Sequence, residues 1–214
     1  TLMHLIPRPE GGLFYGASDP AFGFVDESGQ RTQFQGSAKA DMRDQGGTLA
    51  LAADGSRVRF GFEFWGKSPA VFSLPEQSLS LPGSTSGLAT PRQTAEGLII
   101  TDWVNSRSPK LNGTPLELEQ YELSFSLALA LDGQSFALGT SYGVRIFDRA
   151  GKERWNLETP DIAWAVNITA NGQVVVAAFG DGTIRWYNLQ HGKELLAFFP
   201  HADRKRWVLW TPKG

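Results

Sequence analysis

Glycine-bearing turn pairs recur along this 214-residue chain at a spacing that few folds tolerate. Glu10-Gly11, Asp54-Gly55, Glu96-Gly97, Asp132-Gly133, Asn171-Gly172 and Lys213-Gly214 each follow or divide short apolar runs. The intervals between these glycines are 44, 42, 36, 39 and 42 residues. Asn171-Gly172 is a type I′ hairpin signal, because that turn needs two consecutive residues with positive φ. A second column runs in step with the first. Val25-Asp26, Phe72-Ser73, Leu111-Asn112, Phe147-Asp148 and Tyr187-Asn188 each place a small polar residue at a strand end, just before turn chemistry.

The runs between the turns read as strands. In 123–131, Leu123, Phe125, Leu127, Leu129 and Leu131 alternate with Ser124, Ser126, Ala128 and Ala130. Side chains two apart share a face of a strand. A solvated second face would carry charge; here it is small, which predicts that both faces are covered and that a neighbouring sheet comes close. VVVAAF (174–179) has the same character. Two short segments, 37–45 and 115–123, are the only helical candidates. Gly at 24 positions and seven Trp suit a chain of many turns and large apolar plugs.

Units of about 40 residues with four short strands predict an all-β chain, a β-propeller of four-stranded antiparallel blades. The expected blades are 1–36, 46–82, 88–120, 123–160 and 162–200, with 204–214 as the first strand of a further blade. This is one propeller domain or fragment of about five blades plus one extra strand. The third unit fits least, since Pro91, Pro109 and Pro115 interrupt it. The chain starts at Thr1 and stops in mid-pattern, so it is expected to be a fragment. It is expected to form an arc, or to complete its ring with another chain; a closed disc is the competing outcome.

GDGTIRWYN (180–188) resembles the WD-repeat signature, with Tyr187-Asn188 and Phe147-Asp148 at the Trp-Asp positions. The Gly-His opening and a literal Trp-Asp are missing. GKELLAFFPHADRKRWVLWTPKG (192–214) resembles the end of the propeller in large bacterial multidomain proteins that join WD repeats to a caspase-like peptidase domain. The resemblance implies part of a seven-bladed ring, and a regulatory, partner-binding role.

Other features exclude or weaken alternatives. A net charge of −2 lacks the basic field of a nucleic-acid binder. The absence of Cys excludes thiolate metal sites and disulfides within these residues. No apolar run reaches the roughly 18 residues that a membrane helix needs. His4, His191 and His201 stand apart, at no metal-ligand spacing. GTSYG (139–143) matches the nucleophile-elbow pattern, but a strand follows where that elbow needs a helix. Asn112 and Asn167 open sequons that are read as chance.

The expectation is therefore a non-enzymatic scaffold, cytoplasmic, needing no cofactor or metal. It would bind a protein partner or a neighbouring domain of its own polypeptide, and neither nucleic acid nor membrane. Trp103, Trp164, Arg204, Arg206 and Trp207 are the candidate partner-binding residues, because loop aromatics and Arg anchor interfaces. Core plugging is the competing role for each Trp. For 204–207 a solvated loop is the expected role, with a phosphate patch that uses Trp207 as stacking platform as the alternative. The alternative function is enzymatic, of quinoprotein-dehydrogenase type. Asp148–Trp155 resembles the tryptophan-docking motif of that family, though unit five has Leu196 where unit four has Trp155.

Overall fold

The computed structural model describes residues 2–17, 21–159 and 161–214, which contain no α-helix. Its strands form five antiparallel sheets. Sheet A holds β1 (Leu2–Pro7), β2 (Leu13–Ala17), β3 (Ala21–Val25) and β4 (Arg31–Gln35). Sheet B holds β5 (Ala50–Ala52), β6 (Arg57–Glu63), β7 (Lys67–Ser73), β8 (Ser78–Ser80) and β9 (Leu88–Ala89). Sheet C consists of β10 (Ile100–Thr101), β11 (Lys110–Leu111) and β12 (Thr114–Pro115). Sheet D contains β13 (Ser124–Leu129), β14 (Ser135–Thr140), β15 (Gly143–Asp148) and β16 (Glu153–Glu158). Sheet E contains β17 (Ala163–Ile168), β18 (Val174–Phe179), β19 (Ile184–Asn188), β20 (Glu194–Pro200) and β21 (Trp207–Trp210). The chain divides into two compact units, 1–39 with sheet A and 40–214 with the rest.

The glycine column sets the hairpins. Gly55, Gly133 and Gly172, at φ of 77°, 65° and 65°, close the β5–β6, β13–β14 and β17–β18 turns. Their N–H groups donate to the carbonyls of Ala52, Ala130 and Thr169 at 2.9, 3.0 and 2.9 Å. The Oδ1 atoms of Asp54, Asp132 and Asn171 accept the N–H two residues on, at 2.9, 2.9 and 3.1 Å. The three pairs thus occupy equivalent places. The predicted type I′ turn at Asn171 is corrected: only the glycine takes positive φ, so the carbonyl-to-glycine turn ends in one left-handed residue. The second column works the same way. Asp26, Asp148 and Asn188 each accept backbone N–H bonds across the third turn of their sheets, Asp148 from both Ala150 and Lys152 at 2.9 Å.

Bulges repeat as well. One extra residue interrupts the first strand of sheets D and E, at Phe125 and Trp164. Another interrupts the fourth strand of sheets A, D and E, at Thr32, Arg154 and Leu195. An extra residue redirects its neighbours. This corrects the unbroken alternation expected for 123–131. Phe125 turns to Trp164, 4.8 Å away between ring centroids, and Leu131 lies exposed in the hairpin turn.

The core of the larger unit lies between sheets. Leu127, Leu129, Phe136, Leu138 and Phe147 of sheet D pack on Leu98, Ile100, Leu111 and Leu116 around sheet C. The small face of β13 meets sheet E, where the Ser126 hydroxyl donates to the Ala163 carbonyl at 3.1 Å. β18 is covered on both sides, Val175 and Ala177 toward sheet D and Val176 and Ala178 toward sheet B. The expectation that small residues mark strands with both faces covered therefore holds.

Sheets B and E of this unit pack together, with Phe72 and Phe198 stacked 4.0 Å apart. Two expectations need correction. The segment 204–214 does not open a new blade, because β21 pairs with β20 as the fifth strand of sheet E. The third unit is not a four-stranded blade. Sheet C has three strands of two residues, and β9 leaves that unit to pair with β5. Proline lacks the N–H that a longer ladder would use at positions 109 and 115.

Candidate functional site

Two hairpin tips of sheets B and E meet on one rim and form the most distinctive exposed surface. The first is the β6–β7 connection, Phe64-Trp65-Gly66. Lys67 N–H donates to the Phe64 carbonyl, and Trp65 (φ 62°, ψ 24°) and Gly66 (φ 70°) are consecutive left-handed residues. That is type I′ geometry, which favours Asn-Gly; a bulky side chain at the first position is strained. Gly66 has no substitute, because a Cβ there would stand 2.4 Å from Thr48 Oγ1.

The turn is tied down from beneath. Gln45, fully buried, exchanges two hydrogen bonds with Gly61: its Nε2 donates to the carbonyl, and its Oε1 accepts the N–H, both at 2.8 Å. Asp41 N–H donates to the Phe62 carbonyl at 3.0 Å and Trp65 N–H to the Arg43 carbonyl at 3.1 Å. Segment 41–45 therefore acts as a strap along the hairpin. On this support, Phe64 and Trp65 stack at 4.7 Å and 24°, and Trp65 remains 60% exposed. Arg43 lies 5.5 Å over the Phe64 ring and Lys67 lies 5.8 Å from the Trp65 ring.

The second tip is 201–206, between β20 and β21. Arg204 bridges to Glu63 of the first tip and faces the Phe62 ring at 5.9 Å. Arg206 donates to Asp203 at 2.6 Å and reaches His201 Nε2 at 3.1 Å. Asp203 accepts the Arg206 and Lys205 N–H groups; with the Arg206 guanidinium these hold its carboxyl well below the usual carboxylate range.

Of the five residues expected to bind partners, Arg204 alone reaches the aromatic turn. Arg206 is exposed on the neighbouring tip. Trp207 packs edge-on against Phe72 at 5.0 Å in the B–E core, which is the plug reading. Trp103 packs on the C–D core, and its carbonyl accepts the Ser124 hydroxyl at 2.8 Å. Trp164 is the bulge residue against Phe125. Phe64 and Trp65 were missed. A signal existed in EFWGK (63–67), where the alternation of Phe60 and Phe62 runs into a glycine turn that still carries aromatics.

Sequence reasoning also missed a buried charge node. Arg145 on β15 donates to both oxygens of Glu122, at 2.9 and 3.1 Å from Nε and 2.6 Å from Nη2, and to Glu153 through Nη1. Glu122 is 1% exposed. Burial pushes its carboxyl up, but the Arg145, Thr140 and Glu119 hydrogen bonds outweigh this and leave it lowered overall. The equivalent residue of β19, Arg185, pairs with Asp181 at 3.2 Å and Glu194 at 3.1 Å in a wetter setting. The node is structural in geometry: each oxygen of Glu122 is engaged.

The remaining sequence motifs resolve simply. Ser141 sits in the β14–β15 turn, its hydroxyl accepting Leu123 N–H at 3.0 Å, as the hairpin reading requires. Asn167 is buried and donates to the Leu49 and Ala89 carbonyls at 2.9 and 3.0 Å. It stands where β5, β9, β13 and β17 converge around a hollow that includes Arg92, whose guanidinium donates to the Thr94 and Leu131 carbonyls at 2.8 Å. Trp155 crosses from sheet D to sheet E: its Nε1 donates to the Leu189 carbonyl at 2.9 Å, and its ring covers Gly192. No helix of the described residues is long and apolar enough to cross a membrane. No protein-family model matches this chain, and no curated protein matches it.

Proposed function

We propose that this chain is a propeller-like scaffold of WD-repeat type that binds other proteins and performs no catalysis. The observation that carries the reading is the Phe64–Trp65 turn. A stacked aromatic pair is held in the open, on a strained and strapped hairpin, beside arginines. Exposed Trp and Arg on a rigid support are the composition of interface anchors. Strain at an exposed residue points to use, since a fold gains nothing from it. Repeated sheets with rigid turns suit presentation of such a rim.

The test is selection of peptides from a random displayed library on the immobilised chain, followed by calorimetric titration of the survivors. Saturable one-to-one binding supports the scaffold; a library that yields no titrating peptide refutes it. A second reading, the quinoprotein-like enzyme, is favoured by one contact, the Trp155 indole docked over Gly192 with its hydrogen bond to Leu189. Titration with the quinone cofactor and calcium separates the two, because a heat of binding or a spectral shift would favour the enzyme.

A further inference from the structure

We infer that the Phe64–Trp65 turn is a docking site for an acidic peptide segment with an aromatic or aliphatic anchor, supplied by another protein. This rests on the scaffold reading and names the partner class.

The chemistry of the rim selects the ligand. Phe64 and Trp65 use one face of each ring on the other, so the pair presents a platform rather than a slot. An apolar side chain laid on it would remove the 60%-exposed Trp65 from water. Three cations border the platform: Arg43 over Phe64, Lys67 beside Trp65 and Arg204 at the adjoining tip. Two carboxylates accompany them, Asp41 paired with Arg43 and Glu63 paired with Arg204. Lys67 has no carboxylate partner among the described residues. Lys67 is therefore the unmatched charge beside the platform. A wholly apolar partner would strip water from these cations without replacing it. An acidic flank supplies the missing counter-charge and steers the encounter. A nucleic acid fits less well, because Asp41 and Glu63 would repel a continuous phosphate backbone.

The turn is also built before the ligand arrives. Gln45 and the Arg43 carbonyl hold its backbone, so little order remains to be imposed on binding. The preferred residue at the Trp65 position is Asn, which accepts left-handed φ. The fold and the docking role therefore pull this position in opposite directions.

The experiment is fluorescence anisotropy of a labelled short Asp/Glu-rich peptide with one central Phe, titrated with the whole chain. The expected result is saturable binding that weakens as salt rises. Trp65→Asn should weaken it at least about tenfold while Tm stays equal or rises. Lys67→Glu should weaken it about 1.5- to fivefold, the range of an exposed charge contact. Equal binding of the Gln-for-Glu peptide overturns the proposal, as does unchanged binding by a folded Trp65→Asn variant. Tighter binding of a single-stranded oligonucleotide, or dimerisation of the chain that Trp65→Asn abolishes, also overturns it by naming another occupant. If library-selected peptides bind with full affinity to Trp65→Asn, this site fails while the scaffold reading stands.

Discussion

Sheets C and D lie face to face in one unit and share the same repeat spacing, yet they are built to different standards. Sheet D has four strands of six residues each, both bulges, an Asx-Gly turn and a buried ion pair. Sheet C has three strands of two residues and no comparable node. The glycine column continues through it at Gly97, at φ 66°, but the turn is a different one, closed by the Leu98 N–H on the Ala95 carbonyl at 3.1 Å. Turns are local: a glycine and one hydrogen bond suffice. Ladders need a donor at every second residue, and Pro109 and Pro115 interrupt that supply. Sheet C is therefore held by side chains packed on sheet D rather than by its own backbone.

The sharpest test of that contrast is Arg145→Leu. It leaves Glu122 buried without its counter-charge and should cost about 3–5 kcal/mol in urea-melt stability. Arg185→Leu, at the matching place in sheet E but 20% exposed beside carboxylates of similar exposure, should lose up to about 1 kcal/mol. Equal losses would show that the buried node is not special to sheet D.

Core truncation comes next. Phe198→Ala removes a fully buried ring from the B–E stack and should cost about 3–4 kcal/mol. Leu111→Ala in sheet C should fall near about 2 kcal/mol, because two-residue strands can close around the gap. A larger loss at Leu111 than at Phe198 would place the stability in the wrong sheet.

Acid offers a third comparison. The folded Glu122 carboxyl titrates below its unfolded range, so its contribution is present at pH above that range and is lost as pH falls through the lowered folded value. Melting temperature measured from neutral pH downward should fall more steeply for the native chain than for Glu122→Gln. Parallel curves would remove Glu122 from the acid response. The smallest effect is kinetic: sheet C amides should exchange with deuterium at least about tenfold faster than those of β14. Equal protection would mean that sheet C is carried by its backbone after all.

The aromatic rim teaches a related lesson about legibility. Arg204 was visible as part of a basic run, but Trp207 in the same run turned inward onto Phe72. Alternation cannot say which face of an edge strand meets a neighbouring sheet. Trp65 was hidden for the opposite reason. Its position in the chain reads as the end of an apolar strand, and only the left-handed φ and the strap through Gln45 lift it into solvent. Glu122 and Arg145, 23 residues apart, had no local pattern to betray their pairing.

What the amino-acid order determined alone was decided within a few residues: most of the strands, the repeat spacing, and the equivalence of the glycine turns at 55, 133 and 172. Those outcomes depend on φ preferences and on hydrogen bonds between near neighbours. The packing of sheet B on sheet E, the loss of β9 to sheet B, the bulge-driven turn of Phe125 and the burial of Glu122 belonged to the tertiary structure. Each depends on surfaces brought together from distant parts of the chain, and the free energy of covering apolar area is indifferent to sequence order.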